Sequence, residues 1–180
     1  TVFMSDIEGF TSMSEVVPPD VLVHHLSEYL TVVADCLHRT GATVDQYIGD
    51  AVLAFWNAPE PTADHAQRAC EAALAAQVAI AALNQRWQER GLSLVFRTRI
   101  GINTGQAIVG NIGSDDRMSY TAIGDQVNLT SRLEGANKFY GTSVLLSQHT
   151  HDQLRAGSFV TRCVDQLVVY GKTVPIRVYE

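Results

Sequence analysis

Two helical stretches, each opened by prolines and closed by a glycine, bracket a short strand–Gly–Asp–strand hairpin, and this punctuation leaves the chain few folds to adopt. Pro18 and Pro19 precede Asp20, the expected N-cap of the first stretch. Leu22, Leu26, Tyr29, Val33 and Leu37 then recur at helical spacing until Gly41 ends the run. Pro59 and Pro61 break the chain before the second stretch, for which Thr62 is the expected cap; it carries Ala66, Ala69, Ala73, Ile80 and Trp87 as far as Gly91. Its alanines suit close packing on a sheet. Between the two, Val44–Ile48 and Ala51–Trp56 read as strands turned by Gly49-Asp50. A strand over Thr1–Asp6 precedes the first helix. Strands around Leu94–Ile102, Ala107–Ile112 and Met118–Ile123 follow the second, and another helix starts after Gly124 with Asp125 as its expected cap. The tail reads as short strands around Val144, Val160, Leu167 and Val178, with a short helix near Ser147–Leu154. The expected fold is α+β: a ferredoxin-like βαββαβ core with a C-terminal β-α-β extension. No repeat, linker or low-complexity run divides the chain, so residues 1–180 read as one domain.

Charge removes some classes of function. A formal net charge of −6 argues against a nucleic-acid-binding surface and leaves room only for a local basic pocket. No run approaches the roughly 20 apolar residues of a membrane span, and no signal peptide is visible. Cys36, Cys70 and Cys163 are odd in number and lack metal-ligand spacing, so they are expected to be reduced thiols in or near the core of a cytoplasmic domain. The chain opens and closes within expected strands. It is therefore expected to be a piece of a longer protein, with any membrane attachment outside it.

Three segments carry chemistry. Ser5-Asp6-Ile7-Glu8-Gly9-Phe10-Thr11 places an acid at a strand end before a glycine turn whose N–H groups can cradle phosphate. Tyr47-Ile48-Gly49-Asp50 puts a second acid on a hairpin tip. If the two strands are neighbours, both carboxylates can meet on one hard cation such as magnesium. Singly, each acid reads as ordinary turn chemistry. In the third segment, Tyr120 through Glu134, Asn128 and Arg132 are four apart and share a helix face, as an exposed polar pair or as a ribose-orienting amide with a phosphate-directed guanidinium.

Taken together, these segments resemble the class III adenylate and guanylate cyclase catalytic domains. The resemblance rests on Phe3 through Ser12, Val44 through Val52, Gly101-Ile102-Asn103-Thr104-Gly105 and Tyr120 through Glu134, in that order, with Tyr170-Gly171-Lys172 and Val178-Tyr179-Glu180 at the close. It spans essentially the whole chain. It implies an adenylate cyclase, a lyase of cyclic AMP biosynthesis and intracellular signalling, that converts ATP to cyclic AMP and pyrophosphate. Asp6, Asp50 and the Ile7 backbone would hold two Mg2+ or Mn2+ ions per site. Gly9, Phe10, Thr11 and Lys172 would bind the phosphates. Asn128 would orient the ribose and Arg132 would stabilise charge at the reacting phosphorus. The metal acids and the Asn/Arg pair would come from different subunits of a homodimer.

Two departures qualify the resemblance. The base-selecting position, usually Lys in adenylate and Glu in guanylate cyclases, is Gln46, and its partner is Thr121, as in the adenylate cyclase subgroup with Thr there. A Gln amide and a Thr hydroxyl can each donate or accept, so by type the pair can satisfy adenine or guanine. Tyr170 stands where many members carry a triphosphate-binding Lys. A guanylate or dual-specificity cyclase is therefore the first alternative, and a silent nucleotide-binding or dimerisation domain the second. A polymerase-like domain on the same core is disfavoured because no basic template track is visible. His24 and His25 read as surface or packing residues, and His149 and His151 as lacking metal partners. Trp56 and Trp87 read as core, and Arg97-Thr98-Arg99 as a solvated face.

Overall fold

The computed structural model describes residues 1–168 and 175–180. It is built around β1 (Val2–Ile7), which pairs antiparallel with β3 (Ala51–Phe55) on one side and β4 (Thr98–Asn103) on the other. β2 (Thr43–Ile48) lies beyond β3, and the resulting order β2-β3-β1-β4 is that of a ferredoxin-like core. β7 (Val144–Ser147) joins parallel to β4, followed by β9 (Ile176–Tyr179) and β8 (Cys163–Leu167), each antiparallel to its neighbour. β5 (Ile108–Ser114) and β6 (Arg117–Ile123) form a separate two-stranded ribbon.

The strand period of two sends alternate residues to two different cores. Phe3, Val52, Ala54, Ile100 and Ile102 face α2 (Pro19–Arg39) and α3 (His65–Glu89), whose Tyr29, Leu37, Ala69, Ala73, Ala76 and Trp87 complete that layer. Trp87 and Tyr29 both meet Phe96 edge-on, with centroids 5.1 and 5.6 Å away. Val2, Leu53 and Phe55 point to the opposite face, against Ala122 of β6. There α4 (Asp125–Tyr140) buries Leu129 and Leu133 on Leu145 and Val178. A sheet covered on both sides explains the unbroken apolar run of β3 and the apolar start of β1, Val2-Phe3-Met4. Gly101 sets how closely α4 approaches: a Cβ there would lie 2.3 Å from the Thr130 carbonyl oxygen and 2.4 Å from the Glu134 nitrogen.

Several boundaries differ from expectation. Pro18, not Asp20, is the N-cap of α2, because a proline at the first helical position needs no N–H partner. Asp64, not Thr62, precedes α3, and the Thr62 amide instead donates to Asn57 Oδ1 at 2.7 Å. Gly124 caps α4, with Asp125 as its first residue. An unexpected helix, α1 (Phe10–Val16), starts at once after β1 because Gly9 adopts φ 71°. Val160 is exposed and outside any strand, and the short helix α5 ends at His151 (Gln148–His151). Cys36 and Cys70 are buried, whereas Cys163 is exposed rather than near the core.

Candidate active site

The fifth residue of β1, near the strand's C-terminal end, falls on the α4 side of the sheet and delivers Asp6 there. The β2–β3 connection brings Asp50 to the same place. It is only two residues long, with Ile48 opposite Ala51, and Gly49 takes φ 64° to close it. Asp50 Oδ2 then accepts the Ile7 N–H at 3.0 Å. Burial pushes the Asp50 carboxyl up from its ordinary value. The Ile7 N–H opposes that shift, and the charge of Asp6 adds to it.

The Arg97-Thr98-Arg99 strand is not the solvated face expected from its composition. Thr98 is buried, and Arg99 sits opposite Asp6 in the β1–β4 register with its side chain only 17% exposed. One Arg99 nitrogen donates to Asp6 Oδ2 at 3.0 Å, and Nε lies 3.1 Å from Glu134 Oε1 of α4. The second contact is ionic, since the Nε–H is not aimed at the oxygen. The Glu134 carboxyl is pushed up to about 7, first by burial and then by the charge of Asp6, with Arg99 pulling the other way. Sequence reasoning missed both residues. The available signal was a charged residue in an otherwise apolar strand beside the acid-bearing one.

This donor set suits a hard divalent cation. Asp6 and Asp50 lie close enough for the charge of one to act on the other, so a cation between them would relieve their repulsion. Among the described residues no three His, Cys, Asp or Glu side chains converge as a closed cage. Two carboxylates fit an ion that keeps water and phosphate oxygens in its shell, as magnesium does. Beside them α1 opens with Gly9, Phe10 and Thr11. Phe10 packs edge-on against Phe96 at 6.4 Å, and the first N–H groups of the helix have no acceptor within it.

The other expected site residues lie elsewhere on the surface. Asn128 and Arg132 are exposed on α4. Arg132 precedes Glu134 by two residues, a rotation of about 200° about the helix axis, so it points away from the Asp6 side that Glu134 faces. Gln46 is exposed on β2. Thr121 of β6 is tied to β2: its hydroxyl donates to Asp45 Oδ2 at 2.6 Å, and the Ala122 N–H donates to the same oxygen at 3.2 Å. Lys172 and Tyr170 lie outside the described residues. Trp56 and Trp87 are buried. His25 packs on Trp87 at 4.8 Å while His24 is exposed, and His151 stacks on Tyr179.

Comparison with known proteins matches residues 1–179 to the family described as the adenylate and guanylate cyclase catalytic domain. A protein named Adenylate cyclase 1 from Rhizobium meliloti (strain 1021) is 43% identical over 167 residues, covering 93% of this chain and 24% of that protein. This chain thus spans about a quarter of that relative's length. Among solved structures, the adenylyl cyclase CyaB from P. aeruginosa superposes with a TM-score of 0.89 at 35% identity, over 99% of this chain and 90% of that one. The guanylyl cyclase Cya2 does so with a TM-score of 0.86 at 33% identity, over 99% and 88%.

Proposed function

Because the chain belongs to the family of adenylate and guanylate cyclase catalytic domains, we propose that it is an adenylate cyclase, converting ATP to 3′,5′-cyclic AMP and pyrophosphate at sites shared by two copies. The observation that carries the reading is the meeting of Asp6 and Asp50 at one end of β1, where the Ile7 amide holds Asp50 in place. Preference for ATP draws on the likeness to proteins named as adenylate cyclases.

Two Mg2+ or Mn2+ ions, held by Asp6, Asp50 and the Ile7 carbonyl, would supply an acidified ribose 3′-hydroxyl and charge neutralisation on the triphosphate. The chain's own groups do the rest. Arg99 holds the Asp6 carboxylate by donating to its Oδ2 at 3.0 Å. Gly9, Phe10 and Thr11 offer backbone N–H groups to phosphate oxygens. Asn128 orients the ribose, and Arg132 stabilises the charge that builds as the 3′-oxygen bonds to the α-phosphorus and pyrophosphate leaves.

The second copy enters because Asn128 and Arg132 sit on a face of α4 turned from their own chain's Asp6. Uncovered apolar residues offer a surface for it. Ile108 is 67% exposed and Met118 62% exposed on the β5–β6 ribbon, and Tyr47 and Ile48 are about half exposed at the end of β2. A homodimer of this kind has two equivalent sites. Among the described residues no helix is long and apolar enough to cross a membrane. We place the domain in the cytoplasm, where ATP is available, with any membrane attachment outside residues 1–180.

The second reading, a guanylate or dual-specificity cyclase, is favoured by one observation, Gln46 in place of a lysine. A silent domain is disfavoured because Asp6, Asp50, Asn128 and Arg132 are all present. Incubation with equal ATP and GTP, in Mg2+ and in Mn2+, followed by mass spectrometry of the products, tests the proposal. Predominant cyclic AMP is expected; predominant cyclic GMP, or no cyclic nucleotide, refutes it.

A further inference from the structure

Asp45 is the extra residue of a bulge in β2. Val44 pairs with Ala54 and Gln46 with Leu53, so Asp45 has no partner across the ladder. Bulges re-aim side chains, and here the carboxylate turns from its own sheet towards β6 in the separate ribbon. There Oδ2 receives two hydrogen bonds, at 2.6 Å from Thr121 Oγ1 and at 3.2 Å from the Ala122 nitrogen. A backbone N–H can only donate, so Oδ2 is an acceptor, and the short contact to Thr121 must carry the hydroxyl's one proton. The oxygen of Thr121 therefore has only lone pairs left to offer.

We propose that Asp45 sets the base preference of this site by locking the Thr121 hydroxyl as an acceptor, so that an adenine amine is taken and a 6-oxopurine is turned away. The inference rests on the reading that Thr121 faces the purine. Adenine carries a donor at N6 that a locked Thr121 can receive. Guanine carries an acceptor at O6, which would set lone pair against lone pair in a site where neither can turn. Gln46, the next residue along the chain, imposes no such choice. Its exposed amide can present NH2 to N1 of adenine or its carbonyl to N1–H of guanine. Discrimination then lies with Thr121, and the residue that enforces it is Asp45, which itself touches neither base nor phosphate.

The test is the ratio of kcat/KM values for ATP, GTP and ITP, measured on the wild-type chain and on Asp45→Ala, Asp45→Asn and Thr121→Val. A ratio taken within one variant cancels any general loss of folded enzyme. Wild type should reject ITP about as strongly as GTP, because the two share O6 and only GTP has the 2-amino group. Asp45→Ala frees the Thr121 proton and should lower the ATP-over-GTP ratio about tenfold or more, the usual scale for one mispaired polar contact. Asp45→Asn should keep the ratio within about threefold, since its amide oxygen can accept both bonds. Wild type that uses ITP as readily as ATP overturns the lock without any mutant, should Asp45→Ala fail to fold. An unchanged ratio in Asp45→Ala, with a changed one in Thr121→Val, also overturns it while leaving Thr121 as the base reader. An unchanged ratio in Thr121→Val overturns the underlying reading that Thr121 faces the base, and the lock with it.

Discussion

Adding one methyl group at Gly101 and the same group at Gly135 should move stability in opposite directions. Both glycines lie at α4, one beneath it and one within it. A Cβ on Gly101 would stand 2.3 Å from the Thr130 carbonyl oxygen and 2.4 Å from the Glu134 nitrogen, both backbone atoms that cannot rotate away. Restoring ordinary van der Waals separation means lifting α4 by about 1 Å. That motion strains the bond from Asn137 Nδ2 to the Ile100 carbonyl, 2.9 Å long, and the 3.1 Å Arg99–Glu134 contact. Overpacking of this kind costs about 1–3 kcal/mol, and an immovable backbone puts Gly101→Ala near the top of that range. For a domain of this size the melting temperature should fall by roughly 6–12 °C. A Cβ on Gly135 meets nothing within 4 Å, so Gly135→Ala should gain about 0.5–1 kcal/mol from helix propensity. Thermal unfolding followed by circular dichroism reads both. Because α4 carries Asn128 and Arg132, kcat of Gly101→Ala should fall as well. A Gly101→Ala variant that melts within a degree of wild type would refute the close-packing argument.

Subunit sharing predicts complementation. Asp50→Ala and Arg132→Ala should each be nearly inactive, yet a mixture that exchanges subunits should recover roughly a quarter of wild-type activity, because about half the dimers are mixed and each has one intact site; a mixture that exchanges and stays silent excludes a shared site. Glu134 predicts a pH trend. Its folded pKa, about 7, lies above its unfolded value, so the folded state binds the extra proton between about 4.5 and 7 and stability should fall as pH rises through that window. Melting temperatures of wild type and Glu134→Gln in EDTA should therefore diverge, the wild type losing ground from pH 5 to pH 8, and parallel curves would exclude the effect. Gln46→Lys should raise the ATP-over-GTP ratio, because an ammonium donates to adenine N1 and cannot accept from guanine. Gln46→Glu should lower it, and steady-state kinetics on both nucleotides will show whether residue 46 reads the base at all.

The ferredoxin-like core was legible because its signals are local. Proline and glycine punctuation, helical periodicity and the Gly49-Asp50 turn each act over a few residues, and together they constrain the order of elements. The places of Asp6 and Asp50, at a strand end and a hairpin tip, were legible for the same reason, but each alone reads as turn chemistry and only the resemblance joined them into a site. What the tertiary structure alone decided was which strangers in sequence become neighbours. Arg99 reads as a solvated strand residue until the β1–β4 register sets it opposite Asp6, and Glu134, which has no role of its own in the sequence reading, meets Arg99 because Gly101 lets α4 close on the sheet. Residue type left Thr121 free to donate or accept. Only the bulge at Asp45, which brings a carboxylate from β2 to a hydroxyl 76 positions away, removes that freedom. A hydroxyl's polarity belongs to its hydrogen-bond partner, and partners far apart in a chain are chosen by register, bulge and packing rather than by any stretch of sequence read alone.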